Sequence, residues 1–297
     1  MDDLILLSLD DPNVRWVAIG TVLLGLAAGT VGVFAFLARR ALIGDVLAHA
    51  ALPGVTMAFF LTHSRDWSVL LFGALASSIL GWAMIEALTR RAGMRQDSAL
   101  AFTLSFFFAL GTLQLTWIQR NLEVRSAGLD NLLFGQAAAM MPDDLMRLGL
   151  LAGLIVLVVI LFFGRFRLVL FDRQYAAVLG LPVRFLEVLM ALLIVLTVVI
   201  GLQLTGVILM AALLLTPVAA ARLLSHRLGV IVPLAGLVGA FAGLAGAQAS
   251  LMAPRMPTGP WIVVAVASCF ALALVIRAFR RRRQQVGPAA LTGEEER

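Results

Sequence analysis

From the N-terminus onward, long apolar runs alternate with short polar clusters, and the runs set the architecture. A helix needs about 20 consecutive apolar residues to cross a hydrocarbon core. Nine runs approach that length: Val14–Leu37, Ala41–Leu61, Trp67–Leu88, Ser98–Ile118, Leu145–Phe163, Phe185–Gly201, Thr205–Leu224, Gly229–Leu251 and Trp261–Ile276. The stretch from Phe185 to Leu224 is too long for one crossing. The cluster Gly201-Leu-Gln-Leu-Thr-Gly206 combines glycines with polar residues and predicts a tight turn that divides it. A weaker segment between Arg120 and Pro142, GLDNLLFGQAAAMM, predicts a re-entrant or interfacial helix and leaves the count at eight or nine crossings. The pattern therefore predicts an all-α integral membrane protein, a polytopic helical bundle over residues 14–277. A short segment 1–13 precedes it, and a basic tail 278–297, expected to be disordered, follows it.

Glycine is patterned within the runs. Gly236, Gly239, Gly243 and Gly246 share one helical face, and Gly25 with Gly29 forms a second small-residue pair. Such faces let helix backbones approach closely in lipid, so tight packing is expected there in preference to a transport lining.

Composition narrows the class. Of 297 residues, 61% are hydrophobic and 13% charged, against about 25% charged in soluble domains. Met1 to Asp11 is acidic and does not resemble a cleavable signal. The single cysteine, Cys269, excludes an internal disulfide and a thiolate metal cage, and its apolar setting points to packing. All 23 basic residues are arginine. A P-loop and a Schiff-base enzyme both require a lysine, so neither exists in this chain, and ATP-driven work falls to a partner.

Arginine placement orients the bundle. With a cytoplasmic C-terminus, alternating crossings put inside Arg39, Arg40, Arg90, Arg91, Arg95, Arg165, Arg167, Arg173, Arg184, Arg222, Arg227, the RAFRRRR tail and Arg297, which is 17 arginines. Outside fall Arg15, Arg65, Arg120, Arg125, Arg147 and Arg255, which is 6. The N-terminus is expected outside. The formal charge of +6 is then accounted for by cytoplasmic arginines meeting anionic headgroups, and nucleic-acid binding need not be invoked.

The sharpest chemical signal lies in the second run, ALIGDVLAHAALPGVTMAFFL. Asp45 and His49 stand four residues apart and so share one helical face. A carboxylate in hydrocarbon costs at least about 2.5–3.5 kcal/mol on insertion scales, so such groups usually face a bundle interior or a pathway. A carboxylate oxygen beside an imidazole nitrogen suits a small divalent cation. Pro53 and Gly54 follow one turn later, where a proline kinks the helix and frees a carbonyl four residues back. Gly44, Pro53 and Gly54 are the residues expected to shape the path. The competing structural reading makes Asp45 a cap near Gly44 and His49 a bundle hydrogen-bonder. His63 falls in an outer loop, where it is either a solvated residue or a donor at the mouth; His226 beside Arg227 is read as solvated. Glu86 and Glu187 lie near predicted cytoplasmic helix ends, where snorkelling or pairing with arginines is the expectation.

The longest cytoplasmic loop is expected at 164–184. Within it, Phe171 to Leu179 forms a candidate amphipathic helix, with Asp172 near its start and Gly180 and Pro182 as its stop. Phe171, Tyr175, Val178 and Leu179 fall near one face and are expected to dock into a groove on a partner.

The segments ALIGDVLAHAALPG, FDRQYAAVLGLP, GVILMAALLLTPVAAARLLS and PTGP occur in that order. Together they resemble the permease subunit of the metal-type ABC importers, which carry zinc, manganese or iron(II). The resemblance runs from about Val14 to Arg277. It implies a type II ABC importer bundle in the bacterial inner membrane, assembled as a homodimer. It further implies a cytoplasmic ATP-binding subunit and an extracytoplasmic metal-binding protein. The chain itself would be a non-catalytic subunit without a permanently bound cofactor. Asp45 and His49 match positions that contact metal in transit, and Phe171, Asp172, Tyr175, Leu179, Gly180 and Pro182 match the ATPase-coupling segment. Zinc is slightly favoured by the imidazole and by the lack of a further intramembrane carboxylate near the pair. Two rivals from other classes are a proton-coupled secondary transporter, with Asp45 and His49 as a relay, and an intramembrane hydrolase. Within the same class stands an ABC permease for a metal chelate or vitamin.

Overall fold

A chain in hydrocarbon has to satisfy each backbone N–H and C=O within itself, and helices are the way these apolar runs do so. The computed structural model describes residues 12–38, 40, 42–63, 66–121, 142–250 and 258–286, and among them every element is helical. In chain order these are α1 (Pro12–Leu37), α2 (Ile43–Thr62), α3 (Trp67–Arg90), α4 (Gln96–Asn121), α5 (Pro142–Phe171), α6 (Arg173–Val178), α7 (Val183–Thr205), α8 (Val207–Leu224), α9 (Leu228–Ser250) and α10 (Thr258–Val286). Eight of them are long and apolar enough to cross a membrane. In α8 the apolar stretch is the shorter Met210–Leu224. The segment GLDNLLFGQAAAMM lies outside the described residues, as do residues 1–11 and 287–297.

Three boundaries differ from the sequence expectation. The division of the Phe185–Leu224 run is a single residue: α7 continues through Thr205, and only Gly206 stands between it and α8. Polar side chains alone do not end a helix. Gly206 does so with φ 79 and ψ 169, a conformation open essentially only to glycine. Second, α5 runs on to Phe171, so the first part of the expected 164–184 loop is helical. Burial of Phe166 and Val169 accounts for this, with the Phe166 ring edge-on to Phe34 at 5.4 Å. Third, α10 continues to Val286, into the tail expected to be disordered.

The innermost crossing is α1, which packs on α9, α5, α8 and α7. Its contact with α9 is made by the small-residue faces. A Cβ added at Gly25 would lie 2.1 Å from the Gly239 carbonyl oxygen, so the two backbones touch where only glycine fits. Gly236 and Gly243 meet Thr30 and the Thr21 carbonyl of α1, while Gly246 faces Ile262 of α10. Buried threonines satisfy themselves locally: the hydroxyls of Thr21 and Thr197 donate to carbonyls one turn back at 2.9 and 2.7 Å. The helix that carries the candidate site, α2, lies between α3 and α4 and also touches α7 and α8. Glu86 and Glu187 pair with arginines at the end of the bundle where α3 finishes and α7 begins.

Candidate functional site on the second helix

The entry to α2 places Asp45 in its first turn, next to the positive end of the helix dipole. Leu42 occupies the cap position and no side chain caps the helix, so Asp45 is not spent on capping. It faces His49 instead: Asp45 Oδ1 and His49 Nε2 stand 3.5 Å apart, with both side chains partly exposed. That separation is longer than a good hydrogen bond. Two donors bound to one small ion at about 2.0–2.2 Å stand roughly 3–3.5 Å apart, so the spacing suits a shared cation. The imidazole is oriented by the ring of Phe108 on α4, edge-on at 5.0 Å. His49 Nδ1 is enclosed without a hydrogen-bond partner among the described residues. No cluster of three or more His, Cys, Asp or Glu able to hold a metal occurs among the described residues.

The other expected residues take up distinct places. Pro53 is buried within α2, four residues beyond His49, and removes the N–H that would otherwise bond the His49 carbonyl. It packs against α4 at Gly111, where an added Cβ would lie 3.3 Å from Pro53 Cδ. Gly44 and Gly54 lie off the Asp45–His49 face. Gly44 abuts the Leu214 side chain of α8, and a Cβ at Gly54 would come within 2.0 Å of the Gly73 carbonyl of α3. They hold α2 against its neighbours. His63 closes α2 at its far end, exposed and at φ 50, and its N–H donates to the Phe59 carbonyl at 2.8 Å. At 1.5 Å per residue it stands about 27 Å along the helix from Asp45 and is not part of the pair.

Two residues not singled out in the sequence sit on the same seam. The Thr56 hydroxyl donates to Gln114 Oε1 of α4 at 2.5 Å, on the Asp45–His49 face of α2. Further along, Phe60 meets Trp117 edge-on at 5.3 Å, so α2 and α4 run side by side in the same direction. The signal was available at Thr56, which recurs eleven residues after Asp45 and so returns to the same face.

The candidate docking segment is helical over Arg173–Val178, shorter than Phe171–Leu179. The Asp172 carboxylate accepts from the Tyr175 N–H at 2.8 Å as the cap, and Phe171 is the last residue of α5. Gly180, at φ 75, ends the turn; the Leu181 N–H returns to the Ala176 carbonyl at 3.1 Å, and Pro182 caps α7. Ala176 faces inward, while Phe171, Tyr175, Val178 and Leu179 are exposed, Val178 to 84%.

A model of the ABC 3 transport family matches residues 10–277, from the start of α1 into α10. The chain belongs to the ABC 3 transport family. Among relatives of this ABC 3 chain, the manganese transport system membrane protein MntC of Bacillus subtilis is 41% identical over 269 residues, 91% of the chain. The chain spans 62% of that relative's length. The zinc transport system membrane protein TroC of Treponema pallidum is 36% identical, with 92% of the chain and 94% of TroC covered. The structure of PsaBC from Streptococcus pneumoniae, in complex with a Fab, superposes with TM-score 0.79 at 29% identity, covering 91% of this ABC 3 chain and 94% of that one.

Proposed function

We propose that this chain is the membrane-spanning, non-catalytic subunit of an ATP-driven importer of a divalent transition metal, with Asp45 and His49 contacting the ion in transit. The observation that carries the reading is the Asp45–His49 pair, one oxygen and one nitrogen donor 3.5 Å apart in an otherwise apolar helix. Relatives named for manganese and for zinc support this class of cargo and do not favour zinc over manganese. Nitrogen suits zinc, and oxygen suits manganese; the pair offers one of each.

One chain supplies two donors, so a second copy meeting the first in a homodimer would bring the set to two nitrogens and two oxygens. Such a set binds a first-row ion while leaving it free to move on. In this reading the bundle is of type II, an extracytoplasmic protein delivers the metal and a cytoplasmic ATP-binding subunit docks against α6. The N-terminus lies outside and the C-terminus in the cytoplasm, as the arginine asymmetry favours.

The test is uptake by the assembled transporter in proteoliposomes. His49→Ala is expected to reduce metal import at least about tenfold, a loss of roughly 1.4 kcal/mol or more at the barrier, while the ATP-binding subunit still co-purifies. Wild-type import surviving in that variant would sink the site. Parallel assays with labelled zinc and labelled manganese identify the ion.

A further inference from the structure

Glu86 and Glu187 have no part in the site just described, yet the structure joins them into one line of alternating charge. Arg173, the first residue of α6, reaches Glu187 of α7 through Nε at 3.2 Å and through Nη2 at 3.4 Å. Glu187 Oε2 also accepts from Arg90 Nη2 of α3 at 2.8 Å. Arg90 turns its Nε to Glu86, one turn earlier on the same helix. Glu86 Oε1 accepts in turn from Arg40 Nη2 at 2.7 Å. The order is Arg173, Glu187, Arg90, Glu86, Arg40, with the sign changing at every step.

The two ends give the line its meaning. Arg173 opens the short helix whose outer face offers Tyr175 and Val178. Arg40 lies in the link between α1 and α2. Its N–H donates to the Ala35 carbonyl at 3.0 Å, and its carbonyl accepts from the N–H of Ile43 at 3.0 Å. Ile43 is the first residue of α2, two before Asp45. The line therefore begins on the docking helix and ends on the backbone that starts the helix of the Asp45–His49 pair. Freely exposed ion pairs contribute little, because water and salt screen them. Here the carboxylates are the sheltered members, 14% and 22% exposed for Glu86 and Glu187, against 45% and 57% for Arg90 and Arg173. Each sheltered carboxylate is shared by two guanidinium groups on different elements, so displacing one member strains its neighbours' pairs.

We infer that this five-residue ion line transmits displacement of α6 to the start of α2, which makes Glu86, Arg90 and Glu187 positioning residues for Asp45 and His49. The inference rests on the importer reading. A serial link has a signature that local staples lack: cut twice, it transmits no less than when cut once.

The experiment uses the complete complex in proteoliposomes, the chain with its ATP-binding subunit and metal-binding protein. It reads manganese and zinc ions imported per ATP hydrolysed for wild type, Glu86→Gln, Glu187→Gln and the double variant. Each single change is expected to lower that ratio by roughly fivefold or more, the scale of ordinary coupling between sites. The double variant is expected to fall no further than the lower single variant, a failure of additivity. The ATP-binding subunit co-purifies in wild-type amount throughout. Arg173→Gln, at the exposed end, is expected to give the same loss and supplies the measurement if a carboxylate variant does not fold. An unchanged ratio, losses that multiply in the double variant, or losses that track failed co-purification would each overturn the link. Absence of metal import by wild type would instead overturn the importer reading.

Discussion

At His49 the helix supplies position and the surroundings supply orientation. Phe108 stands edge-on to the ring, Pro53 removes the donor that would have bonded the residue's own carbonyl, and Asp45 lies one turn back at 3.5 Å. Asp45 and His49 were legible in the sequence because titratable groups are rare in apolar runs and a spacing of four defines a face. Phe108 and Gln114 were not, because aromatic and amide residues are ordinary in such helices. Their meaning comes from a partner some 58 positions away, as the Thr56–Gln114 bond illustrates. Gly54 was legible as unusual but not in its role. Its neighbour is the backbone of α3 at Gly73, so Gly54→Ala would force the two helices apart. The expected cost is about 1–3 kcal/mol of overpacking, read as a lower Tm of the purified protein in detergent. An unchanged Tm would mean that α2 and α3 separate freely at this point.

Among the elements, α6 shows how far local chemistry reaches. Asp172 as cap and Gly180 as stop could be read directly, since both act through their own turn. The start of the segment could not, because α5 is carried to Phe171 by the burial of Phe166 against Phe34, a contact 132 positions apart that no local pattern announces. The same limit applies at Gly206. A six-residue segment with two glycines and two polar residues was visible, whereas the single backbone conformation that makes the turn was not. The exposed face of α6 gives a prediction of its own. Val178 is 84% exposed, so Val178→Asp is expected to leave folding intact. It should weaken docking of the ATP-binding subunit about tenfold, or roughly 1.4 kcal/mol, measured as the Kd of the detergent-solubilised pair. Wild-type affinity would remove α6 from the docking surface.

Across the whole molecule, the apolar runs made the helical class and nearly all the crossings legible, because hydrocarbon leaves so few alternatives. Which crossings touch was not legible: glycine spacing marked faces fit for close packing, but not that Gly25 would meet Gly239. Orientation rests on the uneven arginines and is testable directly. In a Cys269→Ser background, Ser64→Cys between α2 and α3 is expected to react with a membrane-impermeant thiol reagent in intact cells. Ala92→Cys, between α3 and α4, is expected to react only after the membrane is opened. The reverse pattern would invert the bundle.

The branch point at Arg90 sets a requirement on residue type as well as on charge. Its Nε serves one carboxylate and its Nη2 another, so the two acids are held by different nitrogens of one flat, rigid group. An ammonium also has three donors, but it is a compact point charge without a rigid plane, so it would hold two carboxylates without fixing their spacing or direction. Lysine at position 90 would therefore conserve the electrical tally of the region while loosening the geometry of its connections. A chain whose cations are all arginine has, at this junction, the side chain whose donors are fixed in one plane.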